Sequence, residues 1–300
     1  MNKLLWPVVA AAGGLAYSLW EATAFTLREF TVPVLAPGSE PLKVLHLSDT
    51  HMTPGQHKKQ NWLRGLADLQ PDLVVNTGDN LAHIDAVPST LRAYGDLLDL
   101  PGVFVFGSND YISPRPKNPL GYLRKSDGVA HPRRFDLPWR DLKGSFVRRG
   151  WHDLTNCHDE LIVKGKRLSF VGVDDPHLGL DVLDEVPADP LADLAIGVAH
   201  APYLRVLDRW NSLGYPLILA GHTHGGQLAL PGYGAIITNC DLDTARVKGV
   251  HTHQVDGHEP SWMHVSAGLG TSPYAPVRFA CRPEATLLTL TEIDSPGPRN

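Results

Sequence analysis

Short apolar runs that each stop at a polar residue dominate this sequence. Five of them lead directly into Gly, Asp, Asn or His, in "PLKVLHLSD", "DLVVNTGD", "GVFVFGSND", "LAIGVAH" and "YPLILAGHTH". Runs of this length, rich in Val, Leu and Ile, predict buried strands. Because the carboxyl ends of neighbouring strands meet at one edge of an open α/β sheet, the pattern predicts that these polar residues form one site.

The spacing within two of these stretches indicates metal ligands. Asp49 and His51 lie two residues apart, and so do His222 and His224. In an extended chain the side chains at positions i and i+2 point to the same side. Carboxylate and imidazole are both ligands of divalent transition metals. One such pair is weak evidence in a chain with 15 histidines, but five strand ends with ligand-type residues together predict a metal site.

The ordered motifs D-x-H, G-D, G-S-N-D, A-H and G-H-x-H resemble the signature of the calcineurin-like metallophosphoesterases, and in particular of bacterial membrane-associated members. The resemblance extends from about 42 to about 291, because "GLGTSPYAPVRFACRPEATLLTLT" is similar to the last strands of those members. It implies an α/β fold, a two-sheet β-sandwich flanked by helices, and two divalent metal ions. The implied ligands are Asp49, His51 and His224 for one metal, Asn109, His200 and His222 for the other, and Asp79 as the bridge.

One motif departs from the family pattern G-N-H-[D/E], since residues 107–110 read "GSND". An ungapped match places Ser108 at the ligand position and Asn109 at the position of a histidine that assists the leaving group. A slip of one residue keeps Asn109 as the ligand and places Asp110 at the histidine position. We favour the slip, because an amide oxygen is a better ligand for a hard cation than a neutral hydroxyl. The proton donor stays open between Asp110, water and His177.

The resemblance implies hydrolysis of a phosphate ester or pyrophosphate bond by a metal-bridging hydroxide, with Asp79 and Asp110 as catalytic residues. The mixed oxygen and nitrogen ligands suit Mn, Fe or Zn and do not choose among them. A nucleotide phosphodiesterase is the alternative within the enzymes. The alternative outside them is a metal-containing ligand-binding module without turnover, because "GSND" lacks the histidine.

The apolar pattern also predicts the order of the elements. The predicted strands lie at about 43–48, 72–77, 103–107, 168–173, 194–199, 216–220, 262–267 and 285–291, with helices near 57–70 and 88–99. A length of 300 residues fits one α/β domain, because the implied ligands span most of the chain. We therefore predict one metallophosphoesterase domain over 31–300, preceded by a separate segment over 1–30.

That N-terminal segment carries no charge between Lys3 and Glu21. Its apolar length is the short limit for a transmembrane helix and also fits the hydrophobic region of a signal peptide. We predict an uncleaved membrane anchor, and Lys3 then predicts a catalytic domain outside the cytoplasm. A cytoplasmic enzyme with a buried hydrophobic helix is the alternative.

Basic residues concentrate in one stretch, which we call the basic cap (111–150). It contains ten basic and three acidic side chains, a net charge of +7 within a chain whose net charge is −5. Because it follows "GSND", we expect it to overhang the metals and to attract an anionic substrate, with Arg133 and Arg134 as substrate-binding residues.

The cap and the anchor together favour a membrane partner and an envelope lipid or wall precursor as the substrate, and more generally a phosphorylated small molecule or lipid. An insertion that only keeps the protein soluble is the alternative. The stretch has no aromatic and basic interleaving, so nucleic acid is not favoured as a partner. The sequence leaves the oligomeric state open.

Overall fold

A computed structural model describes residues 5–116 and 134–293, and its strands form two six-stranded sheets. The first sheet contains β1 (Thr26–Leu35), β2 (Leu42–Leu47), β3 (Leu73–Asn76), β4 (Gly102–Phe104), β5 (His152–Asp153) and β14 (Glu284–Glu292), in the order β1-β14-β2-β3-β4-β5. The second contains β6 (Cys157–Val163), β7 (Lys166–Gly172), β8 (Leu194–Val198), β9 (Leu217–Ala220), β12 (Gly249–His253) and β13 (Ser261–Val265), in the order β12-β13-β9-β8-β7-β6. A small hairpin joins β10 (Ala229–Leu230) and β11 (Gly234–Ala235).

One helix precedes these strands, and the others lie between them. They are α1 (Leu5–Glu21), α2 (His57–Arg64), α3 (Val87–Tyr94), α4 (Ser108–Tyr111), α5 (Trp139–Arg148) and α6 (Leu204–Ser212). Strands β2 to β5 are parallel in the first sheet, and β7, β8, β9 and β13 are parallel in the second. Each parallel run therefore has all its carboxyl ends at one edge.

Branched aliphatic and aromatic side chains fill the space between the sheets. Val44 and Val75 of the first sheet form one buried cluster with Phe170, Ile196 and Leu219 of the second. Strands that are buried on both faces read as continuous apolar runs, which is why these runs were visible in the sequence.

The outer faces of both sheets are covered by helices. A second cluster joins the first sheet to α2, α3 and α5, and a third joins the second sheet to α6. Trp210 of α6 lies so close to β8 that a Cβ at Gly197 would approach its ring to 2.5 Å, so only glycine fits there. The α/β fold, a two-sheet sandwich flanked by helices, is confirmed.

The N-terminal helix α1 corrects the prediction of a membrane anchor. It comprises 17 residues, and across residues 5–116 and 134–293 no helix has both the length and the apolar character needed to cross a membrane. The predicted membrane-anchored location with an extracytoplasmic catalytic domain is therefore wrong. The last turns of α1 instead contact the domain, since Ser18 O accepts a hydrogen bond from Arg278 N (3.0 Å) and Tyr17 packs edge-on against Phe279.

Candidate metal centre

The carboxyl ends of five parallel strands bring the predicted ligands into one cluster. Asp49 and His51 follow β2, Asp79 follows β3, Asn109 lies in α4 just after β4, His200 follows β8, and His222 and His224 follow β9. The first sheet supplies the carboxylates and the amide, whereas the second supplies three of the four imidazoles. The site therefore exists only where the two sheets meet.

One group of donor atoms surrounds Asp49. Its Oδ1 lies 3.6 Å from His224 Nε2 and 4.0 Å from His51 Nε2, and the two imidazole nitrogens are 3.3 Å apart. Asp49 Oδ1 is buried and has no hydrogen-bond partner among the described residues. A buried carboxylate oxygen without a donor is costly unless a cation compensates it, so these three side chains fit a metal ion.

Asp79 lies between that group and a second one. Its Oδ2 is 3.5 Å from His51 Nε2, and its Oδ1 is 3.5 Å from His200 Nε2. Asp49, Asp79 and His200 also satisfy the distances of a group that could hold a cation. With one oxygen facing each side, the Asp79 carboxylate has the geometry of a bridging ligand.

Hydrogen bonds to backbone carbonyls orient two of the histidines. His200 Nδ1 donates to Thr77 O at 2.7 Å, so its Nε2 faces Asp79. His222 Nε2 donates to Asn239 O at 3.3 Å, and its Nδ1 faces His200. Bonds of this kind fix which ring nitrogen is available to a metal.

The backbone at the cluster is unusual. Five of the predicted ligands adopt positive φ, at 50° for Asp49, 41° for His51, 54° for Asp79, 69° for His222 and 49° for His224. Residues with a Cβ rarely occupy this left-handed region, and such conformations concentrate at functional sites because they cost free energy. The unfavourable backbone conformation at these strand ends therefore indicates a functional site.

The carboxylates and His200 perturb one another. Burial opposes ionisation of Asp79, but His200 and His51 outweigh it and hold the Asp79 pKa well below its usual range. Burial raises the pKa of Asp49 to about 6. Burial alone lowers the pKa of His200, but nearby carboxylates, chiefly that of Asp79, raise it to about 9.

Residues 107–110 contact the cluster in a specific way. Asn109 donates from its backbone N to Asp79 Oδ1 and from its Nδ2 to Asp79 Oδ2, both at 2.7 Å. Rotating the amide by 180° exchanges its nitrogen and oxygen, so the same position can present an oxygen to a cation. Ser108 Oγ contacts Asn109 Nδ2 at 3.3 Å. A Cβ at Gly107 would overlap Asp79 Oδ1 and the His200 ring, so this position requires glycine.

The hydrogen bonds of Asp110 do not fit its predicted role as a proton donor. It is fully buried, and its two oxygens accept hydrogen bonds from Asn80 N at 2.8 Å and from Gly107 N at 3.0 Å. Burial raises its pKa to about 7. These bonds stabilise the turn that contains Asn109. They therefore favour a structural role for Asp110.

His177, the other predicted proton donor, lies beside the cluster. Its ring centroid is 4.6 Å from that of His222, and its Nδ1 shares a hydrogen bond with Tyr203 Oη at 3.0 Å.

The neighbouring Asp175 is fully buried, and its Oδ2 has no hydrogen-bond partner in the described part of the chain. Burial raises the pKa of Asp175 to about 7. Asp175 follows β7, so the rule of polar strand ends would have found it.

Two buried basic side chains adjoin the cluster, and no sequence pattern indicates them. Lys59 Nζ donates to Thr50 O at 2.6 Å, and burial lowers its pKa to about 7. Arg278 Nη2 donates to the carbonyls of Ala267, Gly268 and Gly270 at 2.7, 3.0 and 2.8 Å. This arginine thereby fixes the loop that packs against Asp49.

The structure describes residues 111–116 and 134–150 of the basic cap. Arg134 is exposed and α5 packs on the first sheet, whereas Arg133 lies outside the described residues. The predicted substrate contacts of Arg133 and Arg134 stay predictions.

The chain is similar to several known proteins. Residues 42–226 match the model of a family described as calcineurin-like phosphoesterase. The chain is 26% identical over 302 residues to the uncharacterized metallophosphoesterase YkuE of Bacillus subtilis (strain 168), a match that covers 94% of this chain and 91% of YkuE. It is 25% identical over 255 residues to the uncharacterized metallophosphoesterase YkoQ of the same organism, covering 83% and 84%. It is 24% identical over 292 residues to the phosphodiesterase YaeI of Escherichia coli (strain K12), covering 94% of each chain.

Proposed function

The chain belongs to the calcineurin-like phosphoesterase family, a family of phosphoric ester hydrolases, and from this premise we propose that it hydrolyses a phosphodiester at a centre of two divalent cations. The observation that carries the proposal is the position of Asp79, with one oxygen 3.5 Å from His51 and the other 3.5 Å from His200. A carboxylate placed between two groups of imidazoles suits a pair of ions better than one.

The ligands divide between the two ions. Asp49, His51 and His224 would hold the first ion, Asn109, His200 and His222 would hold the second, and Asp79 would be a ligand of both. The buried Asp49 Oδ1, which lacks a hydrogen-bond partner in the described residues, supports the first assignment. The tautomers that Thr77 O and Asn239 O impose on His200 and His222 support the second.

When bound, the two cations supply Lewis acidity and an activated water for attack on phosphorus. The chain orients its ligands, because Asp49, Asp79 and His200 are buried and hydrogen-bonded to their neighbours. For the leaving group, we assign the proton donor to His177 rather than Asp110, since Asp110 is committed to two backbone amides. His177 adjoins His222 and therefore borders the second group of ligands.

Two observations support a substrate class. The name of the Escherichia coli relative, a phosphodiesterase, supports a diester. The envelope-lipid or wall-precursor prediction draws on the anchor and on the basic cap, and the anchor prediction is wrong. The charge of the cap remains, and it supports an anionic phosphate ester.

The test is hydrolysis of bis(4-nitrophenyl) phosphate by the full chain, first with chelator and then with Mn²⁺, Fe²⁺ or Zn²⁺ restored. We expect metal-dependent activity that Asp79→Asn lowers by at least about 100-fold, because the bridging charge is lost. The matched control is Asp85→Asn, whose side chain is 76% exposed, and it should retain full activity. Equal activity of Asp79→Asn and wild type would overturn the two-cation assignment.

Further substrates separate the alternatives. A 4-nitrophenyl monoester, a nucleotide aryl ester and a short-chain phospholipid are compared with the diester under the same conditions. Preference for the nucleotide ester would establish the nucleotide phosphodiesterase. Tight Mn²⁺ binding without hydrolysis of any ester would establish the binding module.

A further inference from the structure

We propose that four buried side chains act as positioning residues for Asp49, the carboxylate of the first ligand group. In order of approach to Asp49 they are His264, His46, Thr77 and Ser48. They form one continuous chain of hydrogen bonds, which we call the relay. The inference rests on the proposed function, because it concerns how a ligand of the metal centre is held.

Short distances join each member of the relay to the next. His264 Nδ1 lies 2.7 Å from His46 Nδ1, and His46 Nε2 lies 2.9 Å from Thr77 Oγ1. Thr77 Oγ1 lies 2.7 Å from Ser48 Oγ, which lies 2.5 Å from Asp49 Oδ2. All five residues are fully buried, so bulk water does not compete for these bonds.

Only one direction of donation satisfies all four contacts. Two neutral imidazoles and two hydroxyls bring four hydrogens, and an ionised Asp49 brings none. Ser48 must therefore donate to Asp49, and Thr77 must donate to Ser48. His46 then donates from Nε2 to Thr77, and His264 donates from Nδ1 to His46. Any other arrangement leaves two acceptors facing each other without a hydrogen.

The environment of the two imidazoles agrees with this direction. Burial lowers the pKa of His46 to about 3 and that of His264 well below its usual value, so both rings are neutral. His264 Nε2 is buried without a hydrogen-bond partner among the described residues. The relay leaves a lone pair on this nitrogen, whereas the reverse direction would leave a buried N–H without an acceptor.

The relay determines which oxygen of Asp49 is available as a metal ligand. Oδ2 accepts from Ser48 Oγ and from His222 N at 3.0 Å, so Oδ1 remains as the ligand atom. Thr77 also serves the second group, since its carbonyl accepts from His200 Nδ1. One residue thus orients a ligand of each ion.

The relay also joins the two sheets. His46 lies on β2 of the first sheet and His264 on β13 of the second, and their ring centroids are 4.9 Å apart. A polar pair at this depth is costly unless it is hydrogen-bonded, so its presence between the two sheets needs a reason. Placement of Asp49 provides one.

The experiment measures Mn²⁺ affinity by calorimetry on the full chain. Thr77→Val removes the relay hydroxyl and keeps the β-branched shape and the backbone carbonyl, and we expect about a 10-fold weaker affinity. Thr77→Ser keeps a hydroxyl and should restore it. The matched control is Thr286→Val, because Thr286 pairs with His46 across the strands and its buried hydroxyl has no partner among the described residues. This control should bind like wild type.

Two further measurements keep the test decisive. Thermal unfolding in chelator shows whether Thr77→Val is folded, and His264→Leu against His264→Asn repeats the comparison if it is not. The ¹⁵N spectrum of the unsubstituted protein should show His264 protonated on Nδ1 and His46 on Nε2. Wild-type affinity in folded Thr77→Val, or protonation of His264 on Nε2, would overturn the relay.

The outcomes separate this inference from the proposed function. If wild type binds Mn²⁺ but hydrolyses no ester, the phosphodiesterase proposal fails while a weaker affinity of Thr77→Val still supports the relay. If wild type binds no Mn²⁺, the metal centre fails and the relay as a positioning device fails with it.

Discussion

His200 Nε2 and His222 Nδ1 lie 3.3 Å apart, and the opposite nitrogen of each ring already donates to a backbone carbonyl. These two nitrogens can therefore share one proton or one cation, and Asp79 Oδ1 also lies 3.5 Å from His200 Nε2. Because nearby carboxylates, chiefly that of Asp79, raise the pKa of His200 to about 9, His200 Nε2 carries a proton in the metal-free protein at neutral pH.

Metal binding should therefore release about one proton from His200 near pH 7.5, since a protonated imidazole cannot bind a cation. The release should disappear as the pH rises through about 9, where His200 is already neutral. Titration calorimetry with Mn²⁺ in two buffers of different ionisation enthalpy measures it. Identical heats in both buffers at pH 7.5 would contradict the assignment.

Asn109→Ala should lower metal affinity by about 10-fold, whereas Ser108→Ala should bind close to wild type. The reason is that Asn109 donates hydrogen bonds to both oxygens of Asp79, whereas Ser108 Oγ contacts the Asn109 amide and not Asp79. Metal content after dialysis against limiting Mn²⁺ distinguishes the two. The opposite ranking would show that the ungapped match to the family motif is the correct one.

His177→Gln should lower hydrolysis of an alkyl phosphodiester by about 100-fold and leave the 4-nitrophenyl diester almost unchanged. A poor leaving group needs a proton donor, and a nitrophenolate does not. The measurement is kcat/KM for both esters. The exposed His83, changed to Gln, is the control for loss of an imidazole. Equal losses for the two esters would exclude proton donation by His177.

Lys59→Met should flatten the pH dependence of stability. Burial lowers the pKa of Lys59 from 10.5 to about 7, so between these values the unfolded chain binds a proton that the folded chain does not. The free energy of unfolding of wild type should then rise with pH across this window, by at most about 1.4 kcal/mol per pH unit. Below pH 7 the slope from this group vanishes.

Urea unfolding at pH 7.5 and 9.5, in chelator, measures the effect. The difference between wild type and Lys59→Met should grow more favourable to wild type at the higher pH. Parallel changes in the two proteins would mean that Lys59 keeps its proton when buried.

The central strands were predictable from the sequence, and the edge strands were not. All eight predicted strands are present, and both predicted helices continue into short 3₁₀ turns near the expected ends. In the two large sheets the missed strands are β1, β5, β6 and β12, and each lies at an edge; the small hairpin of β10 and β11 was also missed. An edge strand buries less side-chain surface, so "CHDELIV" and "GVHTH" carry no continuous apolar run.

The candidate ligands were predictable because they follow those central strands. Their supporting residues were not, since Arg278, Thr77 and His264 contact His224, His200 and His46, which lie far away in sequence. The anchor prediction failed for a related reason. Periodicity alone cannot separate a short apolar helix that packs on a domain, as α1 does through Ser18, from one that enters a bilayer.

Strand β1 runs parallel to β14 along nearly its whole length, from the pair Thr26 and Glu284 to the pair Pro33 and Thr291. A recombinant fragment that starts after Leu35 would leave the backbone amides and carbonyls of β14 exposed along a long, largely apolar edge. Such an edge pairs readily with another copy of itself. Shortened versions of this protein should therefore retain β1, because we expect its removal to promote aggregation through the exposed edge of β14.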